Sequence, residues 1–176
     1  MRGAGFGLSL TLLLLITAGA ASAIAGEVAP TRNVPEIATL RVVGVVPHPL
    51  TLQLYDLEKL PARTVTAKDA SGVKVKYRGV TLWSILNRAG VPRRERIRGA
   101  MMLDYVVVDA LDGYRVVFSL AELDPKLSKL VVLLAYKRNG QAIPPPEGPF
   151  RIVIPSEKYN ARWVREVTVL DVRKAR

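Results

Sequence analysis

The chain has no cysteine and a single histidine in 176 residues. Without sulfur there is no disulfide framework, thiol nucleophile, thiolate zinc site or haem-attachment motif, and a lipid anchor on cysteine is excluded too. A Ser-His-Asp triad or a multi-histidine metal site would have to use His48, which lies between Pro47 and Pro49. Both neighbours hold the backbone extended or turned, so His48 reads as a turn residue and not as a general base. Internal repeats and low-complexity segments are absent as well. Acidic residues are scarce relative to basic ones, 15 against 26, for a formal charge of +11. Such a balance attracts acidic ligands, anionic membrane surfaces or nucleic acid.

The first thing present is an export pattern. Met1-Arg2 precedes an uncharged segment with an apolar centre at Leu12–Ile16 and a run of small residues from Ala18 to Ala25. A charged start, a short apolar centre and an A-x-A ending describe a secretory signal peptide, expected here over residues 1–25 with cleavage after Ala23 or Ala25. The uncharged run is also long enough to be an uncleaved anchor, but its small-residue end favours cleavage. A periplasmic or secreted location follows, and it makes nucleic acid an unexpected partner. Residues 26–37, polar and with prolines at 30 and 35, read as a flexible leader. What remains, 38–176, is expected to be one domain with its own core, which at about 140 residues buries roughly 70% of its unfolded surface.

Along that domain, Ala38–Val46 is rich in β-formers and ends at the Pro-His-Pro turn, Leu50–Leu54 alternates, and Tyr55–Leu60 reads as a helical turn stopped by Pro61. Arg63–Lys68 and Val73–Tyr77 flank Asp69-Ala70-Ser71-Gly72 as a hairpin. Thr81 suits an N-cap and Gly90 the position after a helix, with Leu82, Ile85, Leu86 and Ala89 on one apolar face. Trp83 is most simply core. The basic run Arg93–Arg98 reads as a solvated loop ahead of a docking patch. Leu103–Asp109 and Tyr114–Ser119 form a second hairpin around Asp112-Gly113, and Ser119–Glu122 opens a short helix with a capping box. Leu130–Tyr136 is a continuous apolar run, expected as a strand buried on both faces.

The most informative stretch is 135–172. A basic turn ending in Asn139-Gly140 leads to the rigid Pro144–Pro149 segment, then to the strand-like Phe150–Ile154, a break at Pro155, Arg162-Trp163 and a valine-rich final strand. Three consecutive prolines exclude a central strand or a helix interior, so this is a stiff loop between buried strands. Arg151 and Arg162 stand near its edges.

In order and spacing, Ala135-Tyr136, Asn139-Gly140, Ile143-Pro144, Gly148, Arg151, Pro155 and Arg162-Trp163 resemble the molybdopterin-binding domain of the sulfite oxidase type. Gly79-Val80, Leu82, Ile85-Leu86 and Ala89-Gly90-Val91 resemble its helix signature, and Asp112-Gly113-Tyr114 its hairpin. The resemblance runs from about Leu40 to Val172 and implies an α+β fold of mixed β-sheets with short helices. It also implies molybdopterin as cofactor, with Arg151, Arg162 and Asn139 as cofactor-binding candidates; Asn139 has a plainer reading as a tight turn. Arg151 and Arg162 suit phosphate because guanidinium donates two parallel hydrogen bonds.

The chain departs from the family at three places. Glu147 stands where the family usually has His, Arg162 where it has Lys, and no residue supplies the metal-ligating Cys, for which Ala67 is the nearest candidate. Oxygen ligands are a poor replacement for soft thiolate, so no metal ligand is assigned. The expectation is an exported module, degenerate at the metal site, acting as an accessory or anionic-ligand-binding protein whose partner is an anionic small molecule or pterin phosphate. The alternative is an active molybdopterin-dependent oxidoreductase performing oxo transfer with non-Cys ligation and a membrane or cytochrome redox partner.

Overall fold

A computed structural model describes residues 38–91 and 97–175. The expected signal peptide and leader, and the basic run up to Arg96, lie outside the described residues.

Ten strands form two five-stranded sheets. The first has the order β2-β1-β10-β5-β6, from β1 (Leu40–Gly44), β2 (Leu50–Leu52), β5 (Asp104–Ala110), β6 (Arg115–Ser119) and β10 (Val167–Lys174). β1 and β10 run parallel and the other neighbours antiparallel, so the end of the chain becomes the middle of this sheet. Alternation makes one face apolar: Leu40, Val42, Val106, Val108, Phe118, Leu170 and Val172 point into the core. The second sheet is β3 (Ala62–Lys68), β4 (Lys74–Thr81), β7 (Leu133–Arg138) and β8 (Gln141–Ala142), with β9 (Arg151–Val153) also paired to β7. Three short helices complete the domain: α1 (Leu54–Glu58), α2 (Leu82–Arg88) and α3 (Leu120–Leu123).

Local chemistry explains these boundaries. The Thr81 hydroxyl accepts from Ser84 N–H at the start of α2 and the Ser119 hydroxyl from Glu122 N–H at the start of α3. Leu82, Ile85, Leu86 and Ala89 are fully buried, as their spacing predicts, whereas Trp83 is only half-buried and lines a surface groove. β7 begins three residues later than the apolar run suggests. Leu82 N–H donates to the Val132 carbonyl and Leu130 N–H to the Ser128 hydroxyl, so the run's first residues bond to helix and turn instead of a ladder. β9 is also shorter than Phe150–Ile154. Pro149 and Pro155 lie just beyond Phe150 and Ile154, and the Ile152 N–H and Phe150 carbonyl turn away to Val164 and Val167.

The second sheet is tightest where β4 meets β7. The ladder shifts register between Arg78 and Gly79, and there the β7 backbone comes so close that a Cβ on Gly79 would collide with the Leu134 carbonyl oxygen. Only hydrogen fits. Gly79→Ala is therefore expected to cost about 1–3 kcal/mol through overpacking, read as a lower denaturant midpoint with unchanged slope. An unshifted midpoint would mean that β4 and β7 part without cost.

Candidate functional site

A cleft of about 760 Å³ opens between the β3–β4 turn and the segment that follows β9. Ala67, Lys68, Asp69 and Lys74 form one wall, and Glu157, Lys158 and Trp163 the other. The pleat of β3 turns Ala67 inward and leaves Thr66 and Lys68 exposed. Asp69 then builds the turn: its Oδ1 accepts from Ser71 N–H at 3.0 Å, the Ser71 hydroxyl at 2.6 Å and Val73 N–H at 3.0 Å. The Ser71 hydroxyl above all, then these backbone amides and the Arg138 charge, holds the Asp69 carboxyl below its ordinary value of 3.8. On the far wall a single 3₁₀ turn, Asn160–Arg162, presents Trp163. The Asn160 amide donates to the Lys68 carbonyl at 3.5 Å and links the walls.

Under the cleft lies a chain of charges. Arg138 reaches Asp69 at 3.0 Å with one guanidinium nitrogen and Glu147 at 3.4 Å with the other, and Arg151 donates to the same Glu147 oxygen at 2.5 Å. Arg151 is 6% exposed, with its guanidinium 5.7 Å from the Trp163 ring centre. Trp163 in turn meets Tyr77 edge-on at 5.9 Å. Burial pushes the Tyr77 hydroxyl above its ordinary value of 10.0, so it stays protonated. Glu147 is placed by the stiff loop: its N–H and that of Gly148 both bond the Pro144 carbonyl, and a Cβ on Gly148 would collide with the Ile143 carbonyl oxygen.

The structure thus places the three residues singled out in the sequence at three different stations. Arg151 is buried beneath the cleft and holds Glu147. Arg162 lies behind the far wall, bonded to Glu157 through Nε at 2.7 Å and to Glu122 at 3.1 Å, and stacked 4.6 Å from the Phe118 ring centre. Asn139 and Gly140 form the β7–β8 turn with φ of 50° and 85°. The Asn139 side-chain oxygen accepts from Lys76 N–H at 3.0 Å, and its own N–H donates to the Lys76 carbonyl.

Four participants escape sequence reading as site residues: Arg138, Tyr77, Lys68 and Lys158. For Arg138 the only signal was its place in the basic turn. Its acid, Asp69, is 69 residues away in the chain and no local pattern links them.

The metal part of the family's cofactor does not fit these residues. The chain has no thiolate, and among the described residues no group of three or more His, Asp or Glu is arranged to hold a metal ion. Ala67, on the wall of the cleft, brings only a methyl group. Of the two carboxylates nearby, Asp69 is engaged with its turn and Arg138, and Glu157 with Arg162 through one oxygen. Lone carboxylates are poor donors for a metal that prefers sulfur.

The mixed two-sheet α+β architecture is that of the sulfite-oxidase molybdopterin-binding domain. The chain belongs to the oxidoreductase molybdopterin binding domain family, whose pattern matches residues 27–176. Among solved structures it is similar to the sulfane dehydrogenase SoxCD of Paracoccus pantotrophus, with a TM-score of 0.61 and 22% identity over 78% of this chain. That match takes in 38% of the SoxCD chain, so the likeness is one of fold over part of a longer protein. No curated protein sequence matches the chain significantly.

Because the Asp69 pKa is lowered in the folded state, its contribution to stability is complete above pH 3.8 and disappears as pH falls through the lower folded value. The stability gap between the parent and Asp69→Asn is expected to be constant near neutrality and to shrink below about pH 4. Thermal unfolding of both proteins across pH 2–7 measures it. A gap that does not narrow in acid would contradict the assigned bonds.

Proposed function

We propose that the protein is an exported accessory module that retains the molybdopterin-domain fold without sulfur-ligated molybdenum and binds a small anionic molecule in the cleft between Ala67 and Trp163. The observation that supports this most is the distribution of charge on the rim. Lys68, Lys74 and Lys158 have no acidic partner among the described residues, while the facing Asp69 and Glu157 are matched by Arg138 and Arg162. The free charge of the cleft is therefore positive, and a phosphate or carboxylate ligand gains three ammonium groups without displacing an internal pair. A pterin phosphate is the ligand that family membership suggests. Export rests on the N-terminal pattern, a charged start, an apolar centre and a small-residue end.

Lysines exposed to water contribute modestly, up to about 1 kcal/mol each. Calorimetric titration with pyrophosphate is expected to show binding to the parent and a loss of about tenfold in the Lys68→Ala/Lys158→Ala double variant. No binding to the parent, or equal affinity in the double variant, would overturn the cleft as the ligand site.

A further inference from the structure

The outer face of the β3–β4 hairpin carries charge of one sign. The pleat that buries Ala67, Val75 and Tyr77 leaves Thr64, Thr66, Lys68, Lys74, Lys76 and Arg78 exposed on the opposite side. The ladder sets these in pairs, Lys68 opposite Lys74, Thr66 opposite Lys76 and Thr64 opposite Arg78. Along β4 the cations therefore recur about every 7 Å. Lys68, Lys74, Lys76 and Arg78 have no acidic partner among the described residues. The acids that come near are taken, Glu58 by Lys137, which stands opposite Arg78 on β7, and Asp69 by Arg138. Like charges directly opposite one another destabilise a sheet, so the fold does not gain from this arrangement. Lysines often guard a free sheet edge, but Lys74, Lys76 and Arg78 belong to β4, which is paired on both sides.

We propose that this face docks the protein on an anionic lipid bilayer and is held there by charge. What it lacks decides between a bilayer and a protein partner. Protein interfaces centre on desolvated aromatic or aliphatic side chains ringed by polar ones, whereas here four cations accompany two threonines. A plane of headgroups needs no such anchor, because each Lys or Arg near it adds its own attraction and mobile lipid phosphates adjust to the spacing of the cations. Lys68 and Lys74 also line the cleft, but Lys76 and Arg78 do not. The docking face and the small-anion cleft can therefore be separated at those two residues.

Co-sedimentation of the full chain with vesicles tests the idea, one set of phosphatidylcholine alone and one of phosphatidylcholine and phosphatidylglycerol in equal parts. The apolar N-terminal segment is the same in every variant, so its contribution cancels between them. The parent is expected to prefer the anionic vesicles, and added salt to abolish the preference. Lys76→Gln/Arg78→Gln should lower partitioning onto anionic vesicles about thirtyfold, while its pyrophosphate affinity stays that of the parent. Arg88→Gln/Lys129→Gln removes the same charge from exposed positions elsewhere and should lower partitioning far less. Equal losses in the two double variants would overturn the proposal, since net charge and not this face would then be responsible. So would a parent that does not distinguish the vesicles, including one that instead binds poly-glutamate through Lys76 and Arg78, which would assign the face to an acidic protein. Should the double variant not unfold cooperatively, Lys76→Gln alone carries the test: a fall of about fivefold supports the docking face and unchanged partitioning refutes it.

Discussion

The Arg151 guanidinium is the charge around which this half of the molecule is arranged. It belongs to the first residue of β9 and is almost without water, and an unpaired cation there would be severely destabilising. Glu147 meets that requirement from the stiff loop, Arg138 adds a second guanidinium to the same oxygen, and Asp69 balances Arg138 from the β3–β4 turn. One run of alternating charge therefore fastens the turn after β3, the end of β7, the proline loop and the start of β9 to each other. All four are connections or strand ends.

The same pairing sets what the cleft can do. Buried ion pairs contribute little net stability, but removing one member leaves an uncompensated charge costing about 3–5 kcal/mol when burial is complete. Glu147 is a third exposed, so water screens part of that cost at its end of the pair. Because its arginines are matched internally, the domain is expected to fold without a cofactor. It keeps the family's frame and shifts the available positive charge outward to Lys68, Lys74 and Lys158.

Much of this fold was legible in the residues. Asp69-Ala70-Ser71-Gly72, Asp112-Gly113 and Asn139-Gly140 each make the turn that their side chains and glycines favour. Thr81 and Ser119 cap the helices they precede. Those are local rules, satisfied within four residues. What could not be read depends on distance in the chain: Asp69 with Arg138, Arg162 with Glu122, and the parallel docking of β10 against β1. The shortened β9 and the half-buried Trp83 fall in the same class, because backbone partners from Val164 and Val167, and the groove beside α2, decide them. The missing Cys was plain from composition. That Glu147, the residue standing in for the family's His, would pair with Arg151 was not, since only the folded loop aims one at the other.

The central proposal is that the domain keeps the family's fold without sulfur-ligated molybdenum. Protein purified from the exported fraction of its native host, then analysed for molybdenum by mass spectrometry and for pterin by fluorescence after oxidation, tests it most directly. The account predicts molybdenum far below one atom per chain in protein that nevertheless unfolds cooperatively. One molybdenum and one pterin per chain would contradict it and would require a ligand set other than the cleft described above.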